Sequence, residues 1–427
     1  MRMKLNKSSQ LVLVSAASLV VATLIAGCAL VRQATQTLTV DFVYVASSKA
    51  AGPNDYGEID VFEINSESGF MRQIPSSPFP SEGRNPIAET ASADYSSLFV
   101  VNQDDNSVVQ FVIGIDGKLY PYNTVNTPGV FPSALAANAN ELFVVDTYQP
   151  LPSASVVHPC SGSLAVYPLT AATKNTAINM GPPAVNDAIH AAYWPMELPG
   201  TNSDPTGCTS SGHVIVPTGV TVLANGSEVF VSAYDSSATP TPVGYIFGFS
   251  VGTGGVLTPL SGSPWMAGSE LSAIASDPSS NYVYATDYAK NTVLGFSVAS
   301  GAFTPLSGSP YPAGNQPSAI VVNPSFPYLY VTNSLDATVE AYTMSSGVLS
   351  RLGTYTTGAD PVGLGIDPST NHFLYTVNFL GNNVNDFQMS TTAGTLINTQ
   401  NSPYPSDIQP TAIAAIPHNG TGAGVTK

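Results

Sequence analysis

The sequence predicts an all-β fold, a closed seven-bladed β-propeller, from a repeated strand phrase, its spacing and a surplus strand at the C-terminal end. The phrase is an apolar or aromatic pair followed by Val, Thr or Ala, and in five copies by Asn or Asp. Its aromatic residue recurs at positions 44, 99, 143, 230, 284, 330 and 375, which gives intervals of 55, 44, 87, 54, 46 and 45 residues. A repeat near 45 residues, rich in β-branched and aromatic residues, is typical of a propeller blade of four strands. Seven copies therefore predict seven blades.

The sixth repeat shows the order of strands within a blade most clearly. Residues 317–324 predict an inner strand a, residues 328–332 strand b, residues 338–342 strand c and residues 348–352 an outer strand d. Apolar and polar residues alternate in these runs, and Asn, Asp or Gly separates them, as in antiparallel strands joined by turns. We expect the same unit in every blade.

The two ends of the propeller sequence complement each other. The first blade begins at Phe42 with strands b, c and d but has no strand a before them, whereas residues 411–416 form a strand a after the seventh blade. A C-terminal strand that completes the N-terminal blade closes the ring and leaves no sheet edge open. We expect a single domain over residues 42–416.

The N-terminal segment predicts a targeting sequence rather than part of the fold. Arg2, Lys4 and Lys7 precede an apolar stretch over residues 11–25, as in a signal peptide, and the stretch is short for a membrane span. The phrase Leu-Ile-Ala-Gly-Cys that follows, at residues 24–28, resembles the lipobox of bacterial lipoproteins.

That resemblance implies that Cys28 is lipidated and becomes the first residue of the mature chain, with a plain signal peptide or a short membrane anchor as the alternative. By the same resemblance, Ala29 in place of Asp favours the outer membrane, on its periplasmic or surface side. The predicted division is a signal peptide over 1–27, a tether over 28–41, the propeller over 42–416 and a tail over 417–427.

The charge of the chain excludes two classes of partner. The formal net charge is −16, and it becomes −19 once the three basic residues of the signal peptide are removed. Nucleic acids and anionic lipid surfaces are bound by clustered Lys and Arg, which this sequence lacks. We therefore expect no nucleic-acid partner, membrane association through the lipid anchor only, a monomer, and no cofactor.

Blade 3 carries the longest insertions, residues 147–161 between strands b and c and residues 181–216 between strand d and the next blade. Because successive strands are antiparallel, both loops emerge on the same face. Cys160 lies in the first loop and Cys208 in the second, and export to an oxidising compartment favours a disulfide between them. Closing the loop between these two residues should stabilise the fold by about 4 kcal/mol.

A metal site is the alternative for the same insertions. His158, His190 and His213 lie in or near them, so two Cys and two His are available for zinc. Their spacing matches no zinc framework, which favours the disulfide.

Glu89 is the first candidate for chemistry. The third residue after the start of strand a is apolar in the other six blades, as Leu135, Val220, Ile274, Ile320, Leu364 and Ile413. Burial of the Glu89 carboxyl would raise its pKa toward values useful in acid–base catalysis. The structural alternatives are a pairing with Arg84 and a local shift that turns Ile87 inward.

Two repeated sets of side chains predict a ligand-binding face. Strand b ends in Asn or Asp in five blades, at Asn102, Asp146, Asp287, Asn333 and Asn378. A Ser-Pro-aromatic phrase lies between strand d and the next strand a in four blades, at residues 77–79, 263–265, 309–311 and 402–404.

From these sets we select Asp146, Asp287, Trp265 and Tyr311 as ligand-binding candidates, since a polar ring beside aromatic residues suits sugars or extended peptides. Carboxylates near the same turns also suit calcium, but no stretch follows the EF-hand pattern, so no metal is expected. Polar residues at hairpin turns and packing of aromatic rings between blades are the structural alternatives.

Residues 42–416 resemble the seven-bladed YVTN and lactonase-like propellers. Tyr330-Val331-Thr332-Asn333 is the YVTN phrase itself, residues 291–306 are similar to the c–d unit of lactonase-like propellers, and residues 57–70 are similar to the start of propeller-type 6-phosphogluconolactonases. The resemblance implies a seven-bladed fold and, for the enzymes of the family, lactone hydrolysis. Those enzymes carry a His-Pro-Arg-His phrase at the start of a strand a, and no strand a of this sequence has it.

Function is therefore predicted as a non-catalytic binding or scaffold module anchored to the bacterial envelope. Lactone hydrolysis is the alternative. Among the residues of this sequence, Glu89 as base and Arg84 as electrophile make the best pair for that reaction.

Overall fold

A computed structural model describes residues 40–48, 53–65, 67–150, 161–170, 178–188, 190–199, 212–298 and 302–417. They form seven antiparallel sheets of four or five strands. The prediction of a closed seven-bladed β-propeller is confirmed. Two 3₁₀ turns, Pro53–Asp55 and Thr253–Gly255, interrupt the strands. In the described part of the chain no helix is both long and apolar enough to span a bilayer.

Strands are numbered along the chain and grouped here by their place in the blade. The inner strands a are β5 (Pro86–Ala91), β9 (Val130–Ala137), β14 (Ile215–Val222), β19 (Leu271–Ser276), β24 (Pro317–Val322), β28 (Pro361–Ile366) and β33 (Pro410–Ile416). Strands b are β1 (Val40–Ser47), β6 (Ser97–Asn102), β10 (Glu141–Tyr148), β15 (Glu228–Asp235), β20 (Tyr282–Asp287), β25 (Tyr328–Asn333) and β29 (Phe373–Asn378). Strands c are β2 (Glu58–Asn65), β7 (Ser107–Ile113), β11 (Ser163–Thr170), β16 (Val243–Val251), β21 (Thr292–Ser297), β26 (Thr338–Ser345) and β30 (Asn383–Met389).

The outer strands d are shorter or interrupted in most blades. They are β3 (Met71–Gln73), β8 (Leu119–Asn126), β12 (Asn179–Met180), β17 (Leu257–Pro259), β22 (Thr304–Pro305), β27 (Val348–Thr356) and β31 (Leu396–Asn398). Five further two-residue strands continue the outer edge, namely β4 (Phe79–Pro80), β13 (Trp194–Pro195), β18 (Trp265–Met266), β23 (Tyr311–Pro312) and β32 (Tyr404–Pro405). These five pair with strand c of their own blade, so they extend the outer edge rather than forming free loops.

The C-terminal strand completes the first blade, as predicted. β33 pairs with β1 in antiparallel register from Phe42 opposite Ile416 to Ala46 opposite Ala412, so β1 lies between β2 and β33. The inner strands contact one another in sequence, and β33 contacts β5 to close the ring. β1 begins at Val40, two residues before the predicted start.

Hydroxyl groups tie the inner strands to their neighbours around the ring. A hydroxyl at the second position of strand a, or at the fourth in the longer β9, donates to a proline carbonyl of the next inner strand in four blades, from Ser133 to Pro217 (3.3 Å), Ser272 to Pro317 (2.6 Å), Ser318 to Pro361 (2.6 Å) and Thr411 to Pro86 (2.7 Å). Pro86, Pro317 and Pro361 are the first residues of their strands, a position that suits proline because its carbonyl remains available while its missing N–H removes a donor from the strand end.

The aromatic residue of the repeated phrase packs between blades, where apolar clusters form the core. Tyr44, Tyr284 and Tyr330 are fully buried, and each hydroxyl donates to the carbonyl of a glycine in the c–d turn of the next blade, at 3.0, 2.7 and 3.1 Å respectively. A ring with a polar tip can fill an apolar core and satisfy a turn carbonyl at once. The recurrence of this residue thus follows from the contact between blades.

The propeller has two distinct faces. Strands b end and strands a begin on the face that carries the b–c and d–a connections, which we call the upper face. The a–b and c–d connections lie on the opposite, lower face. The first blade-3 insertion begins and ends on the upper face, whereas the second begins beside Leu169 near the lower end of strand c and ends on the upper face at β14. Residues 151–160, 171–177, 189 and 200–211 lie outside the described residues.

Candidate functional site

Glu89 lies between blades 1 and 2 rather than at a solvent-filled site. Only 8% of its surface is exposed, and its burial raises the pKa of the carboxyl to about 8, although the backbone amides of Ala46 and Ala414 favour the charged form. Neither carboxyl oxygen completes a hydrogen bond with the described residues. Burial is the largest cause of the raised pKa of Tyr44, and the charge of Glu89 is the second. The two side chains are therefore neighbours.

Arg84 belongs to a different part of the surface. Its guanidinium pairs with Asp105 at 2.6 Å, half of its side chain is exposed, and its Nη2 also donates to the carbonyl of Asp104 at 3.3 Å. The groups that raise the pKa of Arg84 are Asp105 first, then Asp104 and Asp55. The structure therefore does not bring Arg84 and Glu89 together.

The polar residues at the ends of strands b are buried and bind backbone groups of the upper-face loops. Asp287 accepts from the amides of Ser269 (2.8 Å), Glu270 (3.3 Å) and Lys290 (3.1 Å). Asp146 accepts from the amide of Gly129 at 3.1 Å, and burial raises its pKa to about 7. With 0% and 1% of their surfaces exposed, Asp146 and Asp287 hold the loops in place.

The aromatic residues of the Ser-Pro-aromatic phrases face the core between blades. Trp265 stacks on Phe303 at 4.3 Å between ring centroids, and Tyr311 is 6% exposed with its hydroxyl donating to the carbonyl of Ser307. The preceding serine accepts from a strand c amide in all four phrases, through Ser77, Ser263, Ser309 and Ser402 at 2.9–3.0 Å. This repeated contact gives the phrase a structural role in every blade that carries it.

No cluster of three or more side chains suited to hold a metal ion is found among the described residues. His190 pairs with Asp187 at 3.1 Å and His213 with Asp235 at 2.5 Å. Cys28, Cys160, Cys208 and His158 lie outside the described residues.

A pocket of about 360 Å³ opens at the upper end of the inner ring, across blades 3, 4 and 5. Its walls are Ser133, Thr147, Val216, Pro217, Thr218, Tyr234, Glu270, Leu271, Ser272 and Tyr288. We call this the upper pocket. The lining combines hydroxyl groups, two phenols, one carboxylate and three apolar side chains, a mixture typical of small-molecule sites.

Several lining groups of the upper pocket are fixed by the fold. Thr147 donates to the carbonyl of Phe131 at 2.7 Å, and Thr218 bonds to Ser232 at 3.0 Å. Glu270 is held through its backbone, because its amide donates to Asp287 and its carbonyl accepts from the amide of Tyr288 at 2.8 Å. The pocket is therefore built on strand ends of three blades.

Burial and the charge of Glu270 raise the pKa of Tyr234, with Tyr148 as a further contributor. Tyr234 consequently remains a neutral phenol at physiological pH and keeps its O–H as a hydrogen-bond donor. The carboxylate and the phenol are close enough to interact, so the pocket has a polar side formed by blades 4 and 5.

The sequence did not predict the upper pocket. Tyr234, Glu270 and Tyr288 come from two blades and are separated by up to 54 positions, and none belongs to a recognisable motif. One signal was available. Tyr234 and Tyr288 stand next to an aspartate at the end of a strand b, and Glu270 directly precedes a strand a, so all three lie where side chains meet at the axis.

Two other cavities lie on the lower face. The larger, about 780 Å³, runs between blades 1 and 2 past Phe42, Ile74 and Ile115, and contains the Lys118–Asp116 pair. The other, about 320 Å³, lies between the a–b turns of blades 5 and 6. Both are far from the strand ends that form the inner ring's upper opening.

The fold and site define a seven-bladed β-propeller with a ligand-sized pocket at the upper end of its inner ring. Residues 301–414 match the family model described as "Lactonase, 7-bladed beta-propeller". The resemblance to lactonase-like propellers seen in the sequence is therefore confirmed. No match was found among curated proteins.

Solved structures share this fold at low sequence identity. A "putative 6-phosphogluconolactonase" from Bacteroides fragilis has a TM-score of 0.67 and 19% identity, covering 90% of this chain and 99% of its own. One of the same description from Bacteroides uniformis has a TM-score of 0.68 and 17% identity, covering 89% and 100%. The periplasmic gluconolactonase PpgL of Pseudomonas aeruginosa has a TM-score of 0.66 and 18% identity, covering 88% and 99%.

Proposed function

We propose that this protein is a binding module of the lactonase-like propeller type and that its small-molecule ligand occupies the upper pocket. One observation carries the proposal. Thr147 lies at the start of the blade-3 b–c insertion and Val216 at the end of the d–a insertion, and both line the pocket. One end of each of the two longest insertions in the repeat thus lies at this pocket, as expected of loops that serve binding on a rigid scaffold.

Ligand-observed NMR with the purified protein tests this proposal. The panel contains neutral sugars, sugar acids, lactones and small amines, and at least one class should bind. Tyr234→Ala and Tyr288→Ala should each weaken binding about tenfold, since each removes a wall of the pocket. Tyr122→Ala, which changes a half-exposed tyrosine on the outer strand of blade 2, is the matched control and should bind normally. Ligand affinity that is unchanged in both Tyr234→Ala and Tyr288→Ala would contradict the proposal.

Lactone hydrolysis is the second candidate, favoured by the match of residues 301–414 to the lactonase model. Two observations weigh against it. Glu89 and Arg84 are apart, and the described lining of the upper pocket contains no Lys, Arg or His to polarise a lactone carbonyl. Acid release from sugar-acid and homoserine lactones, followed with a pH indicator, should not exceed the uncatalysed rate. Hydrolysis that disappears in Glu270→Gln would support an enzyme in this pocket, and loss in Glu89→Gln would support one that uses the buried carboxyl.

We also propose that the protein is anchored to the bacterial envelope through Cys28 and carries a Cys160–Cys208 disulfide. The lipobox-like phrase at residues 24–28 and the pair of cysteines in the blade-3 insertions support this proposal. Cys28→Ala should release the protein from the membrane fraction. Mass spectrometry of non-reduced peptides should link Cys160 to Cys208, and recovery of both as free thiols from an oxidised preparation would contradict the disulfide.

A further inference from the structure

We propose that the ligand of the upper pocket carries an ammonium group, which Glu270 pairs with while Tyr234 and Tyr288 contact its apolar substituents. This inference rests on the proposed function and names the class of ligand for the same pocket. It depends on two features of the described lining, namely its single charge and its aromatic rings.

Glu270 is the one charged side chain among the ten lining residues. It forms no ion pair within the described part of the chain. A carboxylate in a concave, partly apolar site interacts with a cation more strongly than one on an open surface, because water screens it less. A ligand cation supplies the charge partner that the lining does not.

The two phenol rings supply the second feature. Tyr234 and Tyr288 are half-buried and line the same pocket as the carboxylate. Aromatic rings attract cations through the negative potential over their faces, and tyrosines beside a carboxylate are the usual surroundings of alkylammonium groups in proteins. Val216, Pro217 and Leu271 add apolar surface for alkyl substituents.

The same lining disfavours anions. A phosphate or sugar-acid carboxylate would lie near Glu270 with no Lys, Arg or His among the described lining residues to balance it, and two like charges at short range repel strongly in a partly buried site. The net charge of −16 adds a long-range field that attracts cations and repels anions. The pocket therefore favours a positively charged ligand over a negatively charged one such as a phosphorylated sugar acid.

Three compounds of one shape isolate the contribution of charge: choline, the neutral 3,3-dimethylbutan-1-ol and the anionic 3,3-dimethylbutanoate. For ligands of this size we expect choline to bind with a Kd of about 1 mM. The alcohol should bind about tenfold more weakly and the acid not measurably. Raising the salt concentration should weaken choline binding and leave alcohol binding unchanged.

Glu270→Gln should reduce the affinity for choline to that for the alcohol, and it should leave the affinity for the alcohol unchanged. Glu228→Gln removes a carboxylate at the lower end of blade 4, away from the pocket, and is the matched control. It should bind all three compounds as the wild type does.

The outcomes separate this inference from the proposed function. If the alcohol binds as tightly as choline, or if neutral sugars bind and Glu270→Gln has no effect, the ammonium class is overturned while the pocket remains a binding site. If neither these compounds nor the wider panel binds, both proposals are overturned.

Discussion

Two contacts between blades differ in one side chain at the same position of strand a. The contact between blades 4 and 5 has an apolar residue there, and the contact between blades 1 and 2 has a carboxyl. Ile274 is 8% exposed and packs in an apolar cluster with Phe230, Ile246 and Val283. Glu89, equally buried, occupies the corresponding place beside Tyr44. Both follow the start of strand a by three positions, and strand pairing fixes which way each points.

The comparison shows that β-sheet register determines burial even where the side chain is unsuited to it. Burial holds the Glu89 carboxyl in its protonated form across much of the physiological range, because its pKa is raised to about 8. A neutral carboxyl is tolerated in such a place at lower cost than a charge. The contact beside the closing blade is thus weaker, and more sensitive to pH, than its apolar counterpart.

The largest expected effect comes from transferring the carboxyl to the apolar contact. Ile274→Glu should lower the free energy of unfolding by about 4 kcal/mol at neutral pH, since it removes apolar packing and buries an unpaired carboxyl. Denaturant unfolding gives the value, with Ile274→Val as control at about 1 kcal/mol. If Ile274→Glu and Ile274→Val lose the same free energy of unfolding, the contact between blades 4 and 5 accommodates a carboxyl without cost.

The second prediction concerns pH. The unfolded state releases the Glu89 proton near pH 4.5 and the folded state near pH 8, so this group stabilises the fold fully below pH 4.5 and the contribution is lost as the pH rises through 8. Between pH 5 and pH 8 the loss is roughly 3 kcal/mol. Glu89→Gln should flatten the stability profile over that range by this amount.

Exposed Glu67→Gln is the control for the pH series and should leave the profile unchanged. Asp60 and Asp146, whose pKa values burial raises to about 7, should keep a smaller slope of the same sign in Glu89→Gln. A profile with the wild-type slope in Glu89→Gln would show that this carboxyl is not the one responsible.

A smaller effect is expected at the tyrosines that join neighbouring blades. Tyr44→Phe and Tyr330→Phe each remove a buried hydrogen bond to a glycine carbonyl, at 3.0 and 3.1 Å, and should each cost about 1 kcal/mol. Thermal unfolding of both variants compares the two contacts directly. Glu89 raises the pKa of Tyr44 but is not among the causes for Tyr330. A pH-dependent difference between the melting temperatures of the two variants would therefore measure the coupling between Glu89 and Tyr44.

The smallest effect is expected at Arg84. Its pair with Asp105 is solvent-exposed, and exposed ion pairs contribute little. Arg84→Ala should therefore leave the melting temperature and its pH dependence unchanged within error. A pH profile altered as in Glu89→Gln would place Arg84 in contact with the buried carboxyl, contrary to the structure.

Much of the fold was predictable because each strand carries its own signal. The repeated phrase located strand b in all seven blades, and the surplus residues 411–416 located the strand that closes the ring. The outer edge was less accessible. The phrases containing Trp265 and Tyr311 were expected as loops whose rings either lie on a binding face or pack between blades. The structure pairs them with strand c, a tertiary contact that local sequence does not encode.

The candidate site was less predictable than the fold. Glu89 was singled out correctly as a buried carboxyl, since register alone determines that, but its distance from Arg84 depends on how blades pack. The upper pocket required Tyr234, Glu270 and Tyr288 to meet across two blades. Their convergence follows from the curvature of the ring and not from any spacing in the chain.

The pairing of Phe42 with Ile416 has a consequence for how the chain can be cut. The first and last strands of the propeller are neighbours in one sheet, so a short linker between them would produce a ring with no natural beginning. A circular permutant opened instead at the c–d turn of blade 6, between Ser345 and Val348, would keep every strand with its present partners. The fold therefore does not require that the first blade be the one synthesised first.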